Sequence, residues 1–122
     1  MHALVVDDSA TIRKILTAYL ERFGFAVSVA AGAREGLACL KATAKTDVVL
    51  VDWNMPDMDG IAFVRAVRAD AAYDGLPLMM VTTNSELSHV AEALDAGATE
   101  YIMKPFTAEM MREKLELLGF CP

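Results

Sequence analysis

Short, continuous apolar runs alternate along this chain with longer segments in which apolar residues recur every three or four positions. The runs are rich in Val, Leu and Met, which is typical of strands buried on both faces, because helices cover a parallel sheet above and below. Parallel strands need long crossover connections, so this alternation leaves few possible folds. Five runs predict five strands, at residues 3–6, 26–30, 48–51, 78–81 and 101–103.

The segments between the runs have the helical period, and several carry residues typical of helix ends. Ser9 and Thr107 are suited to cap the first and fifth helices, whereas Gly24 and Gly97 are suited to end the first and fourth. The apolar positions predict the helical faces as follows: Ile12, Ile15, Leu16, Tyr19, Leu20 and Phe23 on the first helix; Ala33, Gly36, Leu37 and Leu40 on the second; Ile61, Val64 and Val67 on the third; Leu87, Val90, Ala91 and Leu94 on the fourth; Met111, Leu115 and Leu118 on the fifth.

Five strands alternating with five helices predict a βα-repeat sheet with right-handed crossovers and helices on both faces. A closed barrel of eight such units needs about 250 residues, whereas this chain has 122. We therefore expect an open, doubly wound α/β sheet. No linker, repeat or low-complexity segment interrupts the sequence, so residues 1–122 are predicted to form one domain.

The charge and hydropathy of the chain exclude several kinds of partner. It carries 17 acidic and 11 basic residues, a formal net charge of −6, which disfavours phosphate backbones and anionic lipid. Cys39 and Cys121 are far apart and lack metal-site spacing, so we expect reduced thiols. No apolar run approaches the roughly 18 residues of a membrane span. These features predict a cytoplasmic protein that binds neither nucleic acid nor membranes.

Polar residues follow four of the five predicted strands. In an open α/β sheet, ligands bind at the carboxyl ends of the strands, so these side chains are expected to converge on one crevice. Two like charges about 4 Å apart repel by about 4 kcal/mol at an effective dielectric constant of about 20, so clustered carboxylates need a cation or must be protonated. Oxygen ligands without His or Cys favour Mg²⁺, which commonly also binds phosphoryl oxygens. The residues concerned are Asp7, Asp8, Asp52, Thr82, Thr83 and Lys104.

Asp52 is the best candidate for a nucleophile in this crevice, because aspartyl phosphates are a known class of covalent intermediate. It ends the third predicted strand alone and precedes a turn-rich loop at residues 53–60. The acidic pair after the first strand is better suited to hold the metal. Lys104 would offset the charge of a phosphoryl group, and the Thr82 hydroxyl would donate to one of its oxygens.

Five motifs at these positions resemble those of one family: LVVDDS at residues 4–9, VDWNMPDMDG at 51–60, MVT at 80–82, GA at 97–98 and YIMKPFT at 101–107. The family is the response-regulator receiver domains, the CheY-like phosphoacceptors of two-component signalling, and the resemblance covers essentially the whole chain. Its stand-alone chemotaxis type is the most similar. The resemblance implies a flavodoxin-like fold with five parallel strands in the order 2-1-3-4-5, and a single receiver domain at residues 1–122 with no effector domain.

The resemblance also implies a role for each residue of the crevice. Asp52 would accept a phosphoryl group from the phosphohistidine of a histidine kinase. Asp8 and Asp52 would bind Mg²⁺ directly, Asp7 would act largely through water, and Asn54 would contribute its backbone carbonyl. Lys104 would pair with the phosphoryl oxygens.

A conformational switch is implied as well. The Thr82 hydroxyl would move toward the phosphoryl group while the Tyr101 ring turns inward, and the bond before Pro105 would be cis. Thr83 departs from the usual Ala or Gly of the family, and its bulk is expected to narrow access to Asp52. Partners would bind the face formed by the fourth helix, fifth strand and fifth helix, here Glu86, Val90, Tyr101, Met103 and Lys114.

The implied partners are a sensor histidine kinase or phosphotransfer domain and a downstream protein, and we expect a monomer or weak dimer. The predicted function is a chemotaxis-type response regulator with intrinsic autophosphorylation and autodephosphorylation, rather than an enzyme. A phosphorelay carrier, a phosphate sink and a receiver fragment of a longer regulator are alternatives.

Two alternatives belong to other classes of protein. A haloacid-dehalogenase-like phosphatase resembles this chain in its residue types but has its acidic pair late in the sequence, whereas Asp7 and Asp8 come early. Asn54 also occupies the position of its acid/base. A flavin-binding module is disfavoured, since Asp7 and Asp8 would repel the flavin phosphate.

Overall fold

The computed structural model of the protein describes residues 1–83 and 88–122. In that part of the chain the sheet has five parallel strands: β1 (His2–Val6), β2 (Ala26–Ala30), β3 (Val48–Asp52), β4 (Leu78–Thr82) and β5 (Glu100–Met103). Their order is β2-β1-β3-β4-β5. The doubly wound α/β fold and the strand order expected from the sequence are therefore confirmed.

Helices cover both faces of this sheet: α1 (Ala10–Arg22), α2 (Ala33–Ala42), α3 (Gly60–Arg68), α4 (Val90–Ala96) and α5 (Ala108–Leu117). Successive residues of a strand point to opposite faces, so each central strand contributes to two core clusters. Leu16 and Leu20 of α1 pack with Met111 and Leu115 of α5 against one face. Helices α2, α3 and α4 cover the other face, where Phe63 is the largest fully buried side chain.

The helix ends follow the sequence signals. Ser9 Oγ and Thr107 Oγ1 each accept a hydrogen bond from the backbone N–H three residues further on, so both predicted N-caps are confirmed. Gly97 has a φ of 123° and ends α4, and Gly24 has a φ of 90° just after α1. A positive φ is accessible to glycine at little cost, which explains its place at these helix ends.

Several predicted burial positions are wrong. Ile15, predicted for the apolar face of α1, is 37% exposed. Strand β2 lies at the edge of the sheet, where Val29 is 47% exposed instead of being covered on both faces. On α4, Ala93 is buried while Leu94 is 43% exposed, which is not the predicted face. Helix α4 packs against α3, and this packing outweighs the weak apolar period of a seven-residue helix. Leu87, also predicted for that face, lies outside the described residues.

The described residues include both cysteines of the chain. Cys39 is half-buried, Cys121 is exposed, and both are free thiols. Among the described residues, we find no helix that is both long enough and apolar enough to cross a membrane.

The connections place the crevice at the centre of the sheet. The chain leaves β1 toward β2 on one side and leaves β3 toward β4 on the other, and β1 and β3 are neighbours. Val6 and Val51 are register partners, so Asp7 and Asp52, which follow them, lie at the same edge. This is the topological switch point at which such sheets bind ligands. The Lys104–Pro105 peptide after β5 is cis, as the resemblance implies.

Gly97→Ala is expected to destabilise the fold. The φ of 123° is one that L-residues rarely adopt, and an added Cβ would lie 2.6 Å from Arg68 Cγ. The free energy of unfolding in urea should therefore fall by about 1–3 kcal/mol. Gly75→Ala is the control, because an added Cβ there meets nothing within 4 Å, and it should change stability by less than about 0.5 kcal/mol. Equal losses in the two variants would contradict this interpretation.

Candidate functional site

Three carboxylates form a cluster at the carboxyl ends of β1 and β3. Asp7 and Asp8 directly follow β1, and Asp52 is the last residue of β3. One oxygen from each carboxylate lies within 4.8 Å of the other two. Asp7 and Asp52 are buried, whereas Asp8 is exposed at the mouth of the crevice. The structure therefore brings together the three acids that the sequence places at strand ends.

Burial and mutual repulsion disfavour ionisation of this cluster. Asp52 is 5% exposed, and desolvation, followed by the charge of Asp7, raises the pKa of Asp52 from 3.8 to about 6. Desolvation is also the largest effect on Asp7 and raises its pKa, although the hydrogen bond from Ser9 N and the charge of Lys104 oppose it. Positive charge added to the crevice would lower the pKa of both Asp52 and Asp7.

Lys104 brings a positive charge to the cluster from the end of β5. Its Nζ lies 3.1 Å from Asp52 Oδ1 and 3.7 Å from Asp7 Oδ2. Lys104 N donates a hydrogen bond to Thr82 O at 2.6 Å, which positions the start of the side chain. Lys104 and the acidic pair, far apart in the sequence, therefore meet around Asp52.

The two carboxylate oxygens of Asp7 differ, because only one of them accepts a hydrogen bond from the backbone of the described residues. Its Oδ1 accepts a hydrogen bond from Ser9 N at 2.8 Å, whereas the buried Oδ2 accepts none from residues 1–83 and 88–122. Arg13 Nη1 donates to Asp7 O at 2.6 Å and so holds the end of β1. A buried carboxylate oxygen without a donor is costly. Together, the carboxylates of Asp7, Asp8 and Asp52 offer an all-oxygen donor set, which fits a hard divalent cation.

The loop after β3 closes tightly beside the phosphoacceptor candidate. Trp53 N donates to Val81 O, and Gly60 N donates to Trp53 O. An added Cβ at Gly60 would lie 2.6 Å from Asp52 O, so the loop needs glycine at this position. Asn54, the expected carbonyl ligand, is exposed in this loop, and its role stays a prediction.

Asp57 fastens the same loop to the start of α2, a contact that the sequence analysis misses. Its carboxylate oxygens accept hydrogen bonds from Arg34 N at 3.1 Å and Ala33 N at 3.3 Å. The bond from Arg34 N is the largest effect that lowers the pKa of Asp57. Because α2 begins after Gly32, which has no capping side chain, Asp57 caps the helix from another loop. The glycine directly before α2 is a local signal of this arrangement, because it has no side chain to cap the helix.

The remaining predicted site residues lie on β4 and β5. Thr82 is buried, and its Oγ1 donates to Thr83 O at 3.4 Å. Thr83 and Lys104 line a groove of about 410 Å³ whose other walls come from α1 and from residues 105 and 106. Tyr101 is half-buried, and Lys114 Nζ lies 4.5 Å from the centroid of its ring. The switch roles of Thr82 and Tyr101 stay predictions.

The expected partner-binding face lies at the edge of the molecule formed by α4, β5 and α5. Glu86 lies outside the described residues. The other four residues of this face are half-buried, namely Val90, Tyr101, Met103 and Lys114.

An aromatic stack beside Asp52 is a second feature that the sequence analysis misses. The ring centroids of Trp53 and His89 are 4.8 Å apart, and the ring planes differ by 16°. His89 directly precedes α4, so the two rings come from distant parts of the chain. No local pattern predicts such a contact, and the sequence alone offers a lone histidine.

Fold and site together define a class of protein. The sheet is doubly wound and parallel, and three carboxylates and a lysine meet at its switch point. Such a site suits a divalent cation together with an anionic group.

Known proteins identify the family within this class. The response regulator receiver domain family matches residues 3–116. Chemotaxis protein CheY1 of Helicobacter pylori is 43% identical over 119 residues, which are 97% of this chain and 96% of that protein. Chemotaxis protein CheY of Pseudomonas aeruginosa is 41% identical over 118 residues, which are 95% and 94% of the two chains. The structure of chemotaxis response regulator CheY4 of Vibrio cholerae matches with a TM-score of 0.89 and 38% identity, covering 96% of this chain and 97% of that one.

This chain belongs to the response regulator receiver domain family. The resemblance recognised in its motifs is therefore confirmed. Receiver domains are signalling phosphoacceptors rather than catalytic enzymes, so the phosphatase alternative is set aside. The flavin-binding alternative is set aside by the same assignment.

Asp52→Asn is expected to stabilise the metal-free protein at neutral pH. Because the pKa of Asp52 is raised from 3.8 to about 6 on folding, the folded state binds this proton more tightly than the unfolded state. The contribution of Asp52 to stability should therefore fall as the pH rises from about 4 to about 6, and stay low above that range. In urea with EDTA, the variant should then exceed the wild type by on the order of 2 kcal/mol at neutral pH.

The control for this prediction is Asp95→Asn, which removes an exposed acid from α4. It should leave the pH dependence of the wild type unchanged. Parallel stability curves for Asp52→Asn and the wild type from acid to neutral pH would show that the pKa of Asp52 is not raised.

Proposed function

We propose that this protein is a chemotaxis-type response regulator that accepts a phosphoryl group on Asp52 and then alters a protein-binding surface. The observation that carries the proposal is Lys104 Nζ at 3.1 Å from Asp52 Oδ1, beside the carboxylates of Asp7 and Asp8. Similarity to chemotaxis proteins over nearly their whole length supports the chemotaxis role. In this proposal residues 1–122 are a single receiver domain that acts in the cytoplasm as a monomer or weak dimer.

The acidic cluster binds Mg²⁺ in this proposal. Asp8 and Asp52 hold the ion directly, Asp7 acts through water, and Asn54 contributes its backbone carbonyl. When bound, the ion offsets the charge of the carboxylates and of the phosphoryl oxygens. The buried Asp7 Oδ2, which accepts no hydrogen bond from the described part of the chain, supports this arrangement.

Phosphoryl transfer uses an oxygen of Asp52 as nucleophile. This oxygen attacks the phosphorus of a kinase phosphohistidine, and the O–P bond forms as the N–P bond breaks. The departing imidazole keeps the electron pair of the N–P bond. Lys104 Nζ pairs with the phosphoryl oxygens, and the Thr82 hydroxyl donates to one of them, so that charge is stabilised where it develops.

The donor reaches Asp52 along the groove beside α1. Thr83 and Lys104 line this groove, and Ile12 and Ile15 form part of its apolar wall. A histidine-bearing segment of a sensor kinase or a phosphotransfer domain is the partner that such a path accommodates. The side chain of Thr83 is larger than the Ala or Gly usual at this position, so it restricts the size of the donor.

The signal leaves the site through Thr82 and Tyr101. Phosphorylation adds about −1.5 to −2 charges at Asp52. Moving a two-state equilibrium from roughly 1:99 to 99:1 needs about 5.5 kcal/mol, whereas one neutral hydrogen bond contributes about 1 kcal/mol. Thr82, Lys104 and the bound ion therefore act together, and partner binding to the α4, β5 and α5 face adds to the shift.

Phosphorelay carriers and phosphate sinks use the same acceptor chemistry but pass the phosphoryl group on or lose it without an output. Comparing the proteins captured by phosphorylated and unmodified protein separates these roles. A partner retained by the phosphorylated form alone supports the switch, whereas return of the phosphoryl group to a histidine supports the carrier.

Incubation with an acyl phosphate or phosphoramidate and Mg²⁺ is expected to add the mass of one phosphoryl group to the protein, as measured by intact mass spectrometry. Asp52→Asn should gain nothing, because its amide is not a nucleophilic carboxylate. Lys104→Ala should react more slowly by on the order of 100-fold, since the developing charge loses its cationic partner. Lys45→Ala, which removes an exposed lysine outside the crevice, should react like the wild type. An unreactive wild type, or an equal gain in Asp52→Asn, would refute the proposal.

Asp8→Asn is expected to weaken Mg²⁺ binding by at least about tenfold, because a charged ligand becomes a neutral one. The affinity can be measured by calorimetric titration of the unphosphorylated protein. Asp95→Asn is again the control for loss of one negative charge. Equal affinities of Asp8→Asn and the wild type would argue that the cluster does not hold the ion as proposed.

A further inference from the structure

The stack of Trp53 on His89 joins two segments that the proposed function has to coordinate. Trp53 directly follows Asp52, and His89 directly precedes α4, which belongs to the partner-binding face. The centroid distance of 4.8 Å and the 16° between ring planes describe a parallel stack. The stack is therefore a direct contact between the phosphoacceptor loop and the start of α4.

The Trp53 side of this contact is well anchored. Trp53 N donates to Val81 O, and Trp53 O accepts a hydrogen bond from Gly60 N. The ring is half-buried and packs against the core cluster that contains Phe63. A displacement of the backbone at Asp52 therefore moves the Trp53 ring with it.

Charged side chains lie beside the His89 ring of this contact. Glu92 Oε2 lies 3.7 Å from His89 Nδ1, and Arg65 Nη2 lies 3.7 Å from Glu92 Oε1. All three side chains are about half exposed, so these contacts add little to stability. They place the Glu92 carboxylate beside the imidazole.

Helix α4 is short and packs against α3. Ala93 is its buried residue. At its carboxyl end, Arg68 Nε donates to Gly97 O at 2.9 Å. Near its amino end, the stack of His89 on Trp53 reaches the phosphoacceptor loop. A helix of seven residues with one fully buried side chain can be displaced at its amino end.

We propose that His89 is a positioning residue of the receiver site, and that its stack on Trp53 transmits the state of Asp52 to α4. This inference rests on the proposed function, since it needs Asp52 to be phosphorylated. In the unmodified protein, the stack holds the Trp53 ring beside Asp52. When the phosphoryl group displaces the loop, the stack carries that displacement to the start of α4.

Trp53 is the only tryptophan of the chain, so tryptophan emission reports on the surroundings of Trp53, of which this stack is one part. The test compares the wild type with His89→Ala and His89→Gln, which lack a ring, and with His89→Phe, which keeps one. Each is treated with Mg²⁺ and an acyl phosphate, and phosphoryl gain is followed by intact mass. Hydrogen exchange of the α4 amides is measured before and after phosphorylation, and urea midpoints verify that each variant is folded.

In the wild type and His89→Phe, phosphorylation is expected to change both the Trp53 emission and the exchange of α4. In the two ringless variants, the change in α4 exchange should shrink by about two- to tenfold, the range that loss of one aromatic stack corresponds to. The response of Trp53 emission should shrink with it. A ring-dependent response is not expected of a residue that merely stabilises the fold.

Two results would overturn the inference while leaving the proposed function intact. One is an undiminished α4 response in a folded, phosphorylated ringless variant. The other is a response lost equally in His89→Phe and the ringless variants, which would assign the effect to the imidazole nitrogens and not to stacking. Absence of phosphoryl gain in the wild type would instead overturn the proposed function itself.

Discussion

Repulsion among three carboxylates at one edge of the sheet is the constraint on which the rest of this structure depends. Their oxygens lie within 4.8 Å of one another, and two of the three side chains are buried. Lys104, at 3.1 Å from Asp52, offsets part of this charge, yet the pKa of Asp52 is still raised to about 6. A site in this state gains from a divalent cation, and Lys104 together with that cation can then accept the negative charge of a phosphoryl group.

Contacts around the cluster position the end of β1 and the loop after β3, and they also connect this loop to helix α4. Arg13 fixes the end of β1, and Gly60 allows the loop after β3 to close against Asp52. Helix α4, in contrast, has one fully buried residue and packs against α3, with further contacts between Arg68 and Gly97 and between His89 and Trp53. The contact between the residue after Asp52 and the residue before α4 is the observation on which the proposed transmission to α4 rests.

The periodicity of the sequence predicted the strands and helices well, because burial on both faces and burial on one face leave different apolar patterns. Local hydrogen bonding made the caps at Ser9 and Thr107 predictable. The pattern predicted the bounds of β2 but not its exposure, since an apolar run does not reveal which strand lies at the edge of the sheet. It also failed for the face of α4, where packing against α3 decides which side of a short, alanine-rich segment is buried.

The order of elements and the identity of the strand-end residues follow from the chain itself, because parallel strands align their carboxyl ends at one edge. Hydropathy and spacing are local properties, and they were enough to place Asp7, Asp8, Asp52 and Lys104 in one crevice. The raised pKa of Asp52, the cap that Asp57 provides for α2 and the stack of His89 on Trp53 needed the folded molecule. Each depends on contacts between residues that are remote in the chain, and these residues meet only in the folded protein.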